Sequence, residues 1–483
     1  MSEYVNNFPF KNPPFLHQKA YLSRFWDAKV AALFADTGTG KSFMLINNAA
    51  MLYDTGKINA LLLVAPKGVY RNWFTLEIPK HMPAHVLHRM AIWDPSPKKK
   101  EKIALDKLFE VTEDFKILIM NVEAFSTDKG SRFAYRFLIA HKAMMAVDES
   151  TTIKNPGAQR SKNIEKIGKA AVARRILTGS PVTKSPLDLY QQCAFLSPDC
   201  LDQPSYYAFQ ARYAVTMERR MATHTFKEII GYRRLDELKE KVQAFSFRVR
   251  KDECFDLPEK TYLRREVLLT DEQRTAYNQM VNAALAILGD NMSTTANVLT
   301  QIMRLQQIVC GHITMDDKTV LPLKNNRIRE LMAAIEEIDD KVIIWAHFRH
   351  DIEAIKLALQ KEYGMNAVAT YFGDTLSEDR STIVESFQDP ASPLRFFVGQ
   401  PRTGGYGLTL TASATMIYYS NGYDLETRLQ SEARIDRYGQ TRKMTYIDLF
   451  TPDTVDAKIV EALQDKMNIA NLVMGEEARK WIA

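Results

Sequence analysis

Two α/β lobes with parallel sheets, with helical segments between them, are the fold that three features of this 483-residue chain predict. Short apolar runs alternate with helix-length amphipathic stretches early in the chain and again late in it. Near the start, a Gly-rich turn stands between one such run and the next helical stretch. From about residue 205 to 325 the alternation gives way to long helical patterns, which separates the two lobes.

Taken in order, Val30-Ala31-Ala32-Leu33-Phe34 reads as a buried strand, and Phe43-Met44-Leu45-Ile46 as the apolar start of a helix. Further strand-like runs lie at 60–65, 115–120, 144–147 and 175–177, with helix-length stretches between them, as a parallel sheet requires. The middle of the chain predicts helices over 271–288 and 298–309. Strands resume at 342–345, 367–372, 395–398, 415–419 and 444–450. One late helix opens on Thr375-x-x-Glu378, the spacing of a capping box, and another runs from Asp424 toward Tyr438. The expected division is 1–204 for a first, nucleotide-binding lobe and 205–255 for a helical insertion and connector. A second lobe then takes 256–483, with its own helical insertion at about 270–325.

Composition narrows the classes. With 46% hydrophobic and 25% charged residues the chain is globular, and its net charge of +6 permits a polyanionic partner without requiring one. The cysteines Cys193, Cys200, Cys254 and Cys310 are too scattered for a disulfide framework, so a reducing, cytoplasmic compartment is expected. The N-terminus has no basic head followed by an apolar segment, and no apolar run approaches membrane-spanning length, so no membrane is expected as partner. The charge run 95–102 reads as a solvated loop entering a helix. His81, His85 and His88 do not read as a metal cluster, because Pro83 interrupts any helix that would align them.

The chemistry begins at Ala35-Asp36-Thr37-Gly38-Thr39-Gly40-Lys41-Ser42. Glycines there let the backbone turn its N–H groups toward an anion at the positive end of a helix. Lys41 would neutralise phosphate oxygens and Ser42 would offer its hydroxyl to Mg2+. Ala35 stands where the general pattern has its first glycine. About a hundred residues on, the apolar run Met145-Ala146-Val147 ends in Asp148-Glu149. Asp148 would hold Mg2+, and Glu149 would orient and deprotonate an attacking water. Thr178-Gly179-Ser180-Pro181 follows another strand, and Thr178 and Ser180 could relay hydrogen bonds between the hydrolysis site and another surface. In the second lobe Arg434 and Arg437 are three apart and would share a helix face, from which a guanidinium could stabilise a transferring phosphoryl group. Gly404 to Leu410 follows a strand and could approach phosphates through its backbone.

In order and spacing this set resembles helicase superfamily two, and within it the Swi/Snf-like double-stranded DNA translocases, over residues 14–462. Pro14-Phe15-Leu16-His17-Gln18 is similar to the family's adenine-reading element, with Gln18 as reader. Val64-Ala65-Pro66-Lys67 with Trp73 and Glu77, and Met120-Asn121-Val122-Glu123, resemble the motifs that follow. Asp148 to Asn155 is similar to the family's Asp-Glu-x-His-x-Ile-Lys-Asn, with Thr151 in place of the histidine. Phe247 to Lys251 with Leu257-Pro258-x-Lys260 resembles its inter-lobe connector, and Gln430 to Gln440 its closing motif.

The resemblance implies two tandem RecA-like P-loop lobes and a DNA-stimulated ATP hydrolase that uses ATP and Mg2+. It places Gln18, Thr37, Gly38, Thr39, Gly40, Lys41, Ser42, Gly407 and Gln430 at the nucleotide, with Arg434 and Arg437 completing the site when the lobes close. Double-stranded DNA, bound with little sequence preference, is the implied partner, with Lys67, Arg71, Asn121 and Thr409 as contacts by motif position. Thr409 stands where relatives often carry asparagine. The chain is expected to act as a monomer in a bacterial or phage-infected cell, with a protein partner left unidentified. Because it ends soon after the second lobe, it resembles minimal translocases more than a nucleosome remodeller. Two other readings stand beside translocation: a strand-separating helicase of replication, recombination or repair, and a non-motor ATP-dependent DNA-binding protein. The intact loop, carboxylates and arginines disfavour the last, since a pure binder has no need of a complete hydrolysis site.

Overall fold

The computed structural model describes residues 3–67, 69–220, 225–254, 258–289, 295–315, 317, 319–375, 377–404, 408–437 and 439–474. The chain divides into two compact units, one built mainly from residues 1–256 and the other mainly from 257–468.

In the first unit, β1 (Val30–Ala35), β2 (Ala60–Ala65), β3 (His88–Ile92), β4 (Phe115–Asn121), β5 (Ala143–Asp148) and β6 (Ala173–Thr178) come in chain order. A hairpin of β7 (Ala214–Arg220) and β8 (Thr225–Tyr232) follows, and then β9 (Ser246–Val249). Seven of these make one sheet, β3-β4-β2-β5-β6-β1-β9, in which every neighbouring pair is parallel. Successive strand residues point to opposite faces, so each strand feeds two cores. Ala32, Phe34, Leu62, Val64, Leu118 and Met120 enter one core, whereas Ala31, Leu33, Leu61, Leu63 and Ile117 enter the other. Parallel pairing also brings the carboxyl ends of all seven strands to one edge, where open α/β sheets bind their ligands.

The second unit holds β10 (Lys260–Glu266), the short hairpin β11 (His312–Thr314) and β12 (Val320–Pro322), β13 (Val342–Trp345), β14 (Val368–Tyr371), β15 (Phe396–Gly399), β16 (Thr415–Tyr418) and β17 (Met444–Phe450). Its sheet runs β10-β17-β16-β13-β15-β14, again wholly parallel. Helices Asp271–Gly289 and Thr295–Cys310 fill the expected insertion. Among the described residues no helix is long and apolar enough to cross a membrane.

The sequence reading differs from the structure in several places, among them β10 and the β11–β12 hairpin, which it did not predict. Residues 205–255, expected to be helical, carry the β7–β8 hairpin and β9 as well as helices. Thr225–Tyr232 is rich in Thr, Phe, Ile and Tyr, which favour strands, but its exposed ribbon lacks the apolar run that marks a buried strand. β3 escaped notice because its polar residues His88 and Arg89 interrupt the pattern of a strand that is buried only at Ala91. The helix expected from Asp424 toward Tyr438 spans only Leu425–Glu432, with the Asp424 side chain capping its start by accepting from Glu426 N. The chain then turns, with Leu410 N donating to Arg434 O at 3.0 Å, so Arg434 and Arg437 do not share a helix face.

Candidate active site

The Gly-rich loop leaves β1 at the ligand-binding edge of the first sheet. Gly38 and Gly40 take φ of 91° and 88°, left-handed values that a side chain disfavours. Gly40 then starts the helix Lys41–Asp54, whose first N–H groups face the loop. Thr39 closes the turn through its hydroxyl, which donates to Asp36 O at 2.8 Å. Gln18 Nε2 donates to Thr39 O at 3.3 Å, and a Cβ on Gly40 would collide with that amide. His17 Nε2 lies 2.8 Å from the same carbonyl, and burial lowers the His17 pKa, which favours the neutral ring as donor. The adenine-reading candidate and the phosphate loop are thus one packed structure. Thr37 and Ser42 are half-buried at the loop and the helix start, and Lys41 Nζ donates to Ala35 O at 2.9 Å.

Two strands away in the sheet, β5 ends in Asp148, paired in register with Leu177 of β6, which in turn lies beside β1. The order β5-β6-β1 therefore places Thr178 between the carboxylates and the loop. Asp148 is buried; Trp73 Nε1 donates to its Oδ2 at 2.9 Å and Glu149 N to its Oδ1 at 3.0 Å. A π-helical turn, Trp73–Glu77, carries that indole. Burial, and then the charge of Glu149, push the Asp148 carboxyl up to about 7, against Lys41 and the Trp73 hydrogen bond, which pull it down. A carboxylate so desolvated is suited to a cation, and the loop's amide cradle and Lys41 suit a nucleotide's phosphates.

Glu149 has φ of 46°, a left-handed conformation that costs a non-glycine residue about 1–3 kcal/mol. Thr178 Oγ1 donates to Glu149 Oε2 at 3.3 Å, and Ser180 N donates to Thr178 Oγ1 at 3.2 Å. Ser150 Oγ donates to Gln192 Oε1 at 2.7 Å, and Gln192 Nε2 donates to Pro181 O at 2.8 Å, a second tie between the carboxylate box and the 178–181 turn. Thr151, in the histidine's place, is buried.

Sequence reasoning missed Arg248. Carried on β9, it places Nη2 3.0 Å from Asp36 Oδ1 and donates through Nη1 to Phe34 O at 3.2 Å and Gly179 O at 3.0 Å. Only the connector motif hinted at it; its partners depend on β9 pairing with β1.

Of the candidate DNA contacts, Lys67 and Arg71 are exposed just beyond β2. Asn121, in register with Ala65 at the same edge, uses its Oδ1 to accept from Ala124 N at 2.8 Å and so caps the next turn. His81, His85 and His88 do not converge. His85 pairs with Asp54, His88 Nδ1 lies 3.0 Å from Val86 O, and His81 sits 3.7 Å from Glu77.

In the second unit Arg434 is buried, donating through Nε to Gln430 O at 2.7 Å and through Nη1 to Leu408 O at 3.0 Å. Arg437 donates through Nε to Ala433 O at 2.9 Å and through Nη1 to Thr409 Oγ1 at 2.8 Å, so one predicted DNA contact is the partner of a predicted catalytic arginine. Gln430 is buried, its Nε2 3.4 Å from Glu426 Oε1. Gly407 lies outside the described residues, as do Gly405, Tyr406, Tyr438 and Leu257.

Residues 17–313 match the model of the SNF2-related domain, and residues 323–439 that of the helicase conserved C-terminal domain. The chain is 25% identical over 469 residues to the Bacillus subtilis protein named "Putative ATP-dependent helicase/translocase YwqA", covering 94% of this chain and 47% of that one. It is 22% identical to the ISWI chromatin-remodeling complex ATPase CHR17 of Arabidopsis thaliana (94% and 41% covered). Nuclear protein STH1/NPS1 of Saccharomyces cerevisiae is 25% identical (91% and 33% covered). The chain thus spans less than half the length of each of these relatives. A solved structure with 22% identity, covering 97% of this chain and 95% of its own, is the Sulfolobus solfataricus SWI2/SNF2 ATPase core in complex with dsDNA, at a TM-score of 0.43, too slight a likeness to carry an argument.

Proposed function

Because the chain belongs to the SNF2-related family, we propose that it is a DNA-stimulated ATP hydrolase that moves along double-stranded DNA without separating its strands. The observation that carries this reading is the gathering of the left-handed glycine loop, Lys41, Asp148, Glu149 and Thr178 at one edge of a parallel sheet. A binding protein has no use for a strained glutamate held beside buried Asp148 and touched by a threonine relay.

In this reading Gln18 reads the adenine, while the amides of Thr37 to Ser42 and the Lys41 ammonium hold the phosphates. Ser42 and Asp148 would hold Mg2+, which when bound neutralises charge on the phosphate oxygens. Glu149 accepts the proton of the water that attacks the terminal phosphorus, and ADP leaves with the bridging oxygen. Gln430 and Gly407 contribute to nucleotide binding from the second unit, and Arg434 and Arg437 stabilise the charge that develops. Duplex DNA is contacted mainly through its phosphates, with Lys67, Arg71, Asn121 and Thr409 among the contacts, so binding is sequence-tolerant and weakens with salt. Alternation between open and closed states as ATP becomes ADP and phosphate moves a monomer along the duplex.

The test is the steady-state ATPase rate without DNA, with single strands and with duplex, alongside triplex displacement and fork unwinding. Duplex-stimulated turnover with triplex displacement and closed forks is the expected outcome. Opened forks would make it a strand-separating helicase, and turnover indifferent to DNA would overturn the motor reading.

A further inference from the structure

The nucleotide chemistry leaves one cluster of the second unit unused. Helix Thr295–Cys310 ends at Gly311, whose φ of 94° turns the chain so that His312 begins β11. His350 and Asp351 lie in the first turn of helix Arg349–Tyr363, one of the helices that cover the unit's sheet. His312 and Asp351 are each only 1% exposed. His312 Nδ1 stands 3.2 Å from Asp351 Oδ1, and the two imidazole rings lie 4.6 Å apart between centroids. A ligand atom of each of the three residues falls within 4.8 Å of those of the other two, the single such group among the described residues.

What makes the cluster unusual is its unmet polarity. Apart from their own contact and the Cys310 thiol, which faces the Asp351 carboxylate, His312 Nδ1, His350 Nδ1 and both Asp351 oxygens are shielded from solvent without a hydrogen-bond partner. Unpartnered buried polar atoms are rare and costly, and a carboxylate is the worst of them. A neutral His312 donating through Nδ1 to Asp351 would answer for one nitrogen and one oxygen, and would leave the His350 nitrogen and the other oxygen as they are. One cation engages all three side chains at once.

We propose that His312, His350 and Asp351 form a structural binding site for a divalent transition metal of the zinc class. Two imidazole nitrogens and a carboxylate oxygen are a borderline donor set, which selects zinc over magnesium or calcium, and water completes the tetrahedron. Tetrahedral zinc sets its donors about 3.3 Å apart, which these reach by a contraction of up to about 1.5 Å. The metal staples the helical insertion, through β11, to the α/β core of the unit. Phe348 packs edge-on against His312, with ring centroids 5.3 Å apart, and holds that imidazole from one side.

The test uses the full chain, stripped with a chelator, returned to saturating Mg2+ to occupy weaker carboxylate sites, and titrated with Zn2+ or Co2+. One Zn2+ per chain should bind and raise the melting temperature, and Co2+ should give the visible absorption of a four- or five-coordinate nitrogen–oxygen site. His350→Gln and Asp351→Asn should each weaken zinc binding by about 100-fold or more, while the metal-free variants melt with the metal-free parent. Absence of stoichiometric zinc, or variants that bind it as the parent does, would overturn the site. Should a variant fail to fold, the parent's Co2+ spectrum decides, and an octahedral aquo spectrum overturns the proposal as surely.

Discussion

Arg248 Nη2 and Asp36 Oδ1 lie 3.0 Å apart, joining the last strand of the first sheet to the first residue of the phosphate loop. The same guanidinium donates to the carbonyls of Phe34 and Gly179, and Asp36 Oδ2 accepts from Lys251 N at 3.2 Å. One side chain therefore fixes the loop, the strand it leaves and the turn after Thr178. A loop that must present amides to phosphate gains from being held in shape beforehand.

Arg248→Ala should accordingly lower stability by roughly 1–3 kcal/mol, because it removes the cation facing a largely buried carboxylate and the side-chain donor to two carbonyls. Nucleotide affinity should fall with it. Chemical denaturation with and without nucleotide measures both, and a stability change within error would show the pair to be incidental.

Gly40→Ala tests the loop from the other side. At φ of 88° the methyl strains the backbone and strikes the Gln18 amide, so the loop and its adenine reader cannot both keep their places. Nucleotide affinity should drop by about tenfold or more, as 1–2 kcal/mol of left-handed strain implies. Calorimetric titration gives the value; unchanged affinity would remove Gly40 from the site.

How much of this was legible beforehand follows from the range of each interaction. The central strands of both sheets and the loop Gly38–Lys41 announce themselves because local patterns specify them, apolar runs for buried strands and glycines for left-handed turns, whereas β3, β9 and β10 at the sheet edges carry no such run. Arg248 lies within the connector motif, yet its bond to Asp36 depends on β9 pairing with β1, and no local pattern encodes which strand closes a sheet. His312 of β11 and Asp351 of helix Arg349–Tyr363 likewise meet only through tertiary packing. The helix over Arg434 was overextended because its polar residues fit a helical period as well as they fit a buried turn.

Glu149→Gln should retain ATP binding and lose hydrolysis by on the order of 10²- to 10⁴-fold, the contribution of a general base. Thr178→Val, which removes the donor to Glu149 Oε2, should reduce stimulation by DNA more than the basal rate if Thr178 relays between the two sites. Parallel ATPase assays with and without duplex separate these effects. Equal loss in both would make Thr178 a positioning group for Glu149 alone.

His81 gives the first unit a pH dependence. Burial, followed by the charges of Lys80 and Lys11, lowers its pKa to about 4. Between about 6.5 and 4 the unfolded chain binds this proton and the folded one does not, so stability falls as pH drops through that window. Partial exposure limits the effect to on the order of 1–2 kcal/mol. His81→Gln should flatten the decline in denaturation midpoints from pH 7 to 4; a slope unchanged by the substitution would assign the decline to other groups.

The two arginines of the second unit should separate by stability as well as by rate. Arg434 is buried on the carbonyls of Gln430 and Leu408, so Arg434→Ala leaves both unpaired and should cost roughly 2 kcal/mol in addition to any catalytic loss. Arg437 reaches the exposed Thr409 hydroxyl, a bond it can release at little cost. An arginine that must meet a phosphoryl group cannot also be indispensable to its own core, and by that criterion Arg437 is the better candidate for the finger. Arg437→Ala should then leave the denaturation midpoint nearly unchanged and lower kcat by on the order of a thousandfold with little change in KM. A loss confined to KM would assign Arg437 to ground-state binding, and a larger fall in kcat for Arg434→Ala at equal folded fraction would transfer the role to Arg434.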